Sequence, residues 1–196
     1  MKRLQQQIEF ILEIDKLKKI IRQNYLADGS RKESDTDHSW HLAIMCFLLE
    51  EYANEKIDVL KTMKMVLIHD IVEIDAGDTY AYDESANAND KRKREVLAAD
   101  RIFNILPQDQ AKTMRDLWDE FEEGKTMEAK FANALDKIQP ALLNDASGGK
   151  SWLEHGVAHT QILKRNEKTS EGSKVLWKYI KEIIEKNVIV GKIINK

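Results

Sequence analysis

An all-α fold, one compact domain spanning residues 1–196, is predicted by three features of the sequence. Only two prolines and eight glycines interrupt the 196 residues. The long segments between them repeat apolar residues at spacings of three and four, the mark of amphipathic helices. No stretch alternates apolar and polar residues for long, so no substantial sheet is expected. A chain of this length suits a single domain with a sizeable core.

The spacing predicts helices near 2–22, 38–54, 57–75, 89–106, 108–122, 126–144, 151–167 and 172–190. Each break has a local cause. Asp28-Gly29-Ser30 ends the first helical region. Gly77, within Asp75-Ala76-Gly77-Asp78, suits a helix C-terminal cap, and Asn89 suits an N-terminal one. Ser147-Gly148-Gly149 opens a loop before Trp152. The polar segments Asp28–Asp37 and Asp78–Asp90 are places where a rigid scaffold often carries binding residues.

Apolar residues make up 42% of the chain and charged residues 33%, which excludes wholesale disorder. The net charge of -3 and pI of about 6.0 lack the basic surplus of a nucleic-acid binder. The run Lys91-Arg92-Lys93-Arg94 reads as a solvated helix face. No apolar run approaches the ~20 residues that span a bilayer, and the start MKRLQQQIEF lacks a signal-peptide core. The expectation is a cytoplasmic protein with no membrane or nucleic-acid partner. The sole cysteine, Cys46, lies in the apolar run Leu42–Leu49 and reads as a buried, inert thiol. The four tryptophans, Trp40, Trp118, Trp152 and Trp177, are expected to fill the core.

Candidate chemistry begins at Ile68-His69-Asp70-Ile71-Val72-Glu73. It continues the apolar stretch Met63–Ile68, and ionised groups in such a place need a charge or a metal as partner. Glu73 lies four residues after His69 and three after Asp70, so all three can face one cavity. His38-Ser39-Trp40-His41 opens another apolar helix, and Asp136 sits within Phe131–Ile138. Each has a plainer reading alone: a polar core or capping histidine, or an Asp136–Lys137 ion pair. Together the two histidines and two aspartates suit a divalent ion (Mn, Co, Zn, Fe, Ni or Mg) that leaves positions open for water and substrate. His155 and His159 also stand four apart, but lack a zincin's glutamate, so packing is the preferred reading.

His38, then His69-Asp70 31 residues later, then Asp136, resembles the H…HD…D pattern of HD-domain metal-dependent phosphohydrolases. Asp37–His41, Met65–Thr79 and Phe131–Pro140 resemble the 5'-deoxynucleotidase-like branch, over roughly residues 5–165. The helix from about 172 is less characteristic. The resemblance implies a helical bundle, a homodimer, and hydrolysis of nucleoside 5'-monophosphates to nucleoside and phosphate. It implies His38, His69, Asp70 and Asp136 as metal ligands, Glu73 in proton transfer, Asp78 near the substrate and Arg22 toward the nucleotide. Lys137 and Arg31 join Arg22 as candidates to offset phosphate charge. His41 is expected beside the ligands. Gln23 stands where bacterial deoxynucleotidases tend to have tryptophan, which predicts tolerance of ribose as well as deoxyribose. Two rivals remain: a related hydrolase of another phosphate ester or cyclic nucleotide, and a non-catalytic nucleotide-sensing metal protein.

Overall fold

The structure, a computed structural model, describes residues 1–80, 82 and 88–196, with the backbone alone at 88 and 89. Helices dominate it, as expected. They are α1 (Lys2–Ile14), α2 (Asp35–Leu48), α3 (Val59–Ile68), α4 (Glu73–Ala76), α5 (Ala88–Phe103), α6 (Gln108–Glu123), α7 (Met127–Ala146), α8 (Lys150–His155), α9 (His159–Arg165), α10 (Thr169–Gly172) and α11 (Lys174–Ile189). Among the described residues there is one sheet, the antiparallel pair β1 (Ile21–Tyr25) and β2 (Lys32–Ser34).

Three expected boundaries need correction. The first helix does not run to residue 22. It ends at Ile14, tightens into a 3₁₀ turn over Asp15–Lys19, and gives way to β1. The β-branched pair Ile20-Ile21 favours strand, and the connection to β2 closes locally. The Leu26 amide donates to the Arg31 carbonyl at 2.9 Å, and the Ser30 amide to Asp28 Oδ1 at 2.9 Å. The expected helix over 57–75 breaks at His69 into a 3₁₀ segment, His69–Val72, before α4. The expected helix over 151–167 splits at Gly156, whose φ of 58° lies in the left-handed region. Gly77 does end α4, with φ 76°. The proposed cap at Asn89 rests on a side chain outside the described ones.

Local sequence sets the position of the elements that matter for function. Ser34 caps α2: the Asp37 amide donates to Ser34 Oγ, and Asp37 Oδ2 accepts from the Ser34 amide. That places His38 in the helix's first turn. Thr126 caps α7 through its side chain alone, its Oγ1 accepting from the Ala129 amide at 3.3 Å. Pro140 lies inside α7 and has no N–H to give the carbonyl of Asp136, four residues earlier.

Two apolar clusters form the interior. The larger gathers Leu42, Met65, Phe131, Leu135, Ile138, Trp152, Ile180 and Ile184 around α7. The smaller gathers Phe10, Ile68, Ile71, Val72, Ala99, Phe103 and Trp118 around α5. The segment 65–72 serves both, with Met65 and Val66 in the first cluster and Ile68, Ile71 and Val72 in the second. His69 and Asp70 therefore sit at the seam. Trp118 and Trp152 fill the core as expected, while Trp40 is 64% exposed. On α2, His38, Leu42, Met45 and Cys46 turn inward, and Trp40 falls on the opposite face. Cys46 is buried, which pushes its thiol up to about 12.

Candidate metal centre and cavity

Four of the sequence-predicted residues meet at this seam, from three separate elements. His38 Nε2 lies 3.0 Å from Asp136 Oδ1 and 4.0 Å from Asp70 Oδ2. His69 Nε2 lies 3.1 Å from Asp70 Oδ1 and 3.6 Å from Asp136 Oδ1. Both histidines are buried.

Hydrogen bonds fix how the two rings present themselves. Gln139 Nε2 donates to Glu33 Oε2 at 2.9 Å, so its Oε1 is the atom facing His38 Nδ1 at 3.0 Å. An oxygen can only accept, so His38 carries a proton on Nδ1. Burial, then the charge of Arg22, pushes His38 down to about 4, so the ring is neutral near pH 7. Its Nε2 lone pair then faces a carboxylate oxygen. His69 repeats the arrangement: Nδ1 lies 2.9 Å from the Val66 carbonyl, to which it donates, and Nε2 is buried without a hydrogen-bond partner. Burial opposes a charge on His69, yet Asp70 and Asp136 outweigh it and pull its pKa well up. The centre calls for positive charge between two imidazole nitrogens and two carboxylates. A divalent ion meets that demand, and the nitrogen and oxygen donor set suits one.

A second acidic cluster adjoins the first. Asp35, Asp70 and Glu73 bring carboxylate oxygens within 4.8 Å of one another, all buried. Arg22, on β1, supplies the charge between them: its Nη1 is 2.8 Å from Asp70 Oδ2 and 3.3 Å from Asp35 Oδ1, and its Nε is 3.4 Å from Glu33 Oε1. One guanidinium does not neutralise the group. Burial, then Asp70, raises Asp35 to about 7, and burial raises Glu33 to about 7. Burial, then Asp70, Asp35 and Asp78, pushes Glu73 far above the usual carboxylate range. Glu73 holds its proton at neutral pH.

A cavity of about 370 Å³ opens on the centre, within the size range of small-ligand sites. Arg22, His69, Asp70, Glu73, Asp78, Asp136 and Lys137 all line it, and so does Gln23. Arg31 is not brought there. It is exposed and paired with Asp37, with Nη1 2.7 Å from Oδ2, so the placement by charge alone is corrected. His41 touches Gln139 Nε2 at 3.3 Å rather than joining the centre. Among the described residues, His155 and His159 belong to no metal-binding group, and the His155 ring lies 4.3 Å from that of Tyr80.

Sequence reasoning missed Glu33, Asp35, Gln139 and Arg165, the last also on the cavity wall. Glu33 and Asp35 lie in a polar loop-like stretch, where acidic residues are ordinarily solvated. Gln139 carried one usable signal: it follows Asp136 by three positions and so shares its helix face.

Residues 14–177 match the HD-domain family. The chain belongs to that family of divalent-metal-dependent phosphohydrolases and lies in its 5'-deoxynucleotidase-like branch. A solved structure from Magnetospirillum magnetotacticum, described as a predicted metal-dependent phosphohydrolase, is 46% identical over 98% of this chain and 99% of that one, with a TM-score of 0.92. The human 5'-deoxynucleotidase HDDC2 is 28% identical over 136 residues, 69% of this chain; that stretch spans about 65% of the human protein. Its counterpart in Dictyostelium discoideum is 33% identical over 141 residues, 69% of this chain and 74% of that protein.

The Glu33–Gln139–His38 relay yields a prediction. Gln139→Leu removes the acceptor that fixes the His38 tautomer. Outer partners of this kind are worth about 10–100-fold in metal affinity. Calorimetric titration with Mn²⁺ or Co²⁺ should show that loss while circular dichroism stays unchanged. Undiminished affinity would remove the relay from the account.

Proposed function

We propose that this chain is a metal-dependent 5'-nucleotidase that hydrolyses deoxyribo- and ribonucleoside 5'-monophosphates to nucleoside and phosphate. The observation that carries the reading is the convergence of His38, His69, Asp70 and Asp136, with both histidines presenting Nε2 to carboxylates, three of the four also lining a cavity of about 370 Å³. The names of the curated relatives support the substrate class.

In this reading those four residues hold the ion. When bound, a divalent ion lowers the pKa of water and offsets charge on a phosphate ester. The chain's own side chains supply the rest. Water's oxygen forms a bond to phosphorus as the bond to the 5'-oxygen breaks. Glu73, protonated in its buried setting, stands ready to pass a proton to that departing oxygen. Asp78, half-buried on the wall, orients the sugar or base, and Lys137 offsets phosphate charge. Arg22 lines the cavity but is committed to carboxylates, so its first task is to hold Asp70 and Asp35 in place.

The retained proton-transfer group favours an enzyme over a nucleotide sensor, since sensing needs no such residue. The reading also includes a cytoplasmic homodimer; Val175 and Tyr179, one turn apart on α11 and each 56% exposed, offer an apolar face for it. Among the described residues, no helix is long and apolar enough to cross a membrane.

A phosphate-release screen over paired ribo- and deoxyribonucleotides tests the reading. Glu73→Gln should keep its metal and lose turnover by about 10²–10⁴-fold. Wild-type rates at saturating metal would take Glu73 out of the mechanism.

Sugar selectivity turns on Gln23, which lines the cavity and accepts from Lys32 Nζ at 2.6 Å. Tyr25 is held outward: its hydroxyl donates to Glu154 Oε1 at 2.6 Å, and Lys150 Nζ sits 3.9 Å over its ring. Tyr25 therefore does not rebuild a bulky wall at the Gln23 position, and a small polar side chain rejects a 2'-hydroxyl weakly. The kcat/KM values for AMP and dAMP should lie close in the wild type and separate in favour of dAMP in Gln23→Trp. Strict deoxy preference in the wild type, unmoved by the substitution, would place Gln23 outside sugar recognition.

A further inference from the structure

Four cationic side chains line the cavity, and two of them are already engaged. Arg22 is held by Asp70, Asp35 and Glu33. Lys91 faces Glu95 at 3.3 Å. Lys137 on α7 and Arg165 on α9 differ from these: among the described residues neither forms a close ion pair or a hydrogen bond, and the carboxylates that attract them, Asp136 and Asp78, act from farther away while lining the same cavity. Both are half-buried. Lys168 adds like charge beside Lys137; of the two carboxylates that act on Lys137, Asp136 belongs to the candidate metal centre and Glu171 lies 3.6 Å from Lys130 Nζ.

This pattern is unusual for long cationic side chains. Left to themselves they reach water or pair with carboxylates, and holding two like charges over one cavity is unfavourable. The arrangement makes physical sense when an anion completes it. Arginine and lysine together suit a phosphoryl group, one by its planar fork of donors and the other as a point charge. Lys137 also follows Asp136 directly in α7, so the pair adjoins the candidate metal centre without contributing to it.

We propose that Lys137 and Arg165 form a phosphoryl-binding subsite of this cavity, distinct from Arg22. The proposal rests on the phosphohydrolase reading and adds to it the residues that receive the substrate's charge. The phosphoryl group has two possible sources: the scissile phosphate itself, or a second phosphate elsewhere on the nucleotide. Arg165 enters as a binding residue that the sequence alone did not single out.

The test compares the metal-loaded wild type with Lys137→Met, Arg165→Met and the conservative pair Lys137→Arg and Arg165→Lys. Orthophosphate binding is read by calorimetry, without turnover. KM is read for dAMP and for deoxyadenosine 3',5'-bisphosphate. Each Met variant should weaken a phosphoryl ligand by about tenfold or more, and the conservative variants should largely restore it. A rise in the dAMP KM together with weaker orthophosphate binding assigns the subsite to the scissile phosphate. A rise for the bisphosphate alone assigns it to a second phosphate. Unchanged orthophosphate affinity and unchanged KM for both nucleotides, in both Met variants, would overturn the proposal. If a Met variant loses helical signal, Lys137→Gln and Arg165→Gln carry the same comparison. Should the wild type hydrolyse neither nucleotide, the substrate reading fails separately, and orthophosphate binding still decides the subsite.

Discussion

Negative charge confined at the seam between two apolar clusters is the constraint on which the rest of the site depends. Glu33, Asp35, Asp70 and Glu73 are buried together, with Asp136 beside them. Two imidazoles present Nε2 to these carboxylates, and one guanidinium, Arg22, stands among them. Leaving a charge buried without compensation costs several kcal/mol, which is large against the whole stability of a domain. The protein answers in two ways. Glu73 keeps its proton, and Asp35 and Glu33 are raised to about 7. The remaining charge, on Asp70 and Asp136, gathers where both histidines point, which makes that spot a cation site.

The fold supplies this arrangement through local departures from regular helix. The 3₁₀ segment after α3 carries His69 and Asp70 at the seam, with the Val66 carbonyl taking the ring proton of His69. The carbonyl of His69 in turn accepts from Trp118 Nε1 at 3.2 Å, tying the segment to the smaller cluster. Pro140 leaves the Asp136 carbonyl without its helical amide, and the Ser34–Asp37 capping box sets the first turn that holds His38. Where α10 crosses α7, Gly172 lies so close that a Cβ there would collide with the Lys130 carbonyl oxygen, a contact only glycine permits.

Much of this was legible in the sequence. His69, Asp70 and Asp136 are readable because ionisable groups within apolar helical runs conflict with burial unless something compensates them. Arg22 was placed near the substrate by family resemblance, but on a helix; the strand that carries it is too short to announce itself by alternation. Glu33 and Asp35 were not legible, and Gln139 was legible only through its spacing from Asp136. Polar residues near a helix start ordinarily cap or face water, and only the folding of β2 and α7 around His38 buries them. Arg165 was missed for a related reason: only the tertiary fold brings α9 to the cavity that α7 also lines, and spacing along the chain does not encode that.

The central claim is that His38, His69, Asp70 and Asp136 hold a divalent ion. Elemental analysis of the purified wild type and of Asp70→Ala, after identical exposure to Mn²⁺ or Co²⁺ and removal of free metal, tests it most directly. The account predicts metal in the wild type and its loss in the variant, with the helical circular-dichroism signal retained in both. Full metal occupancy in Asp70→Ala, or a wild type that retains none, would contradict it.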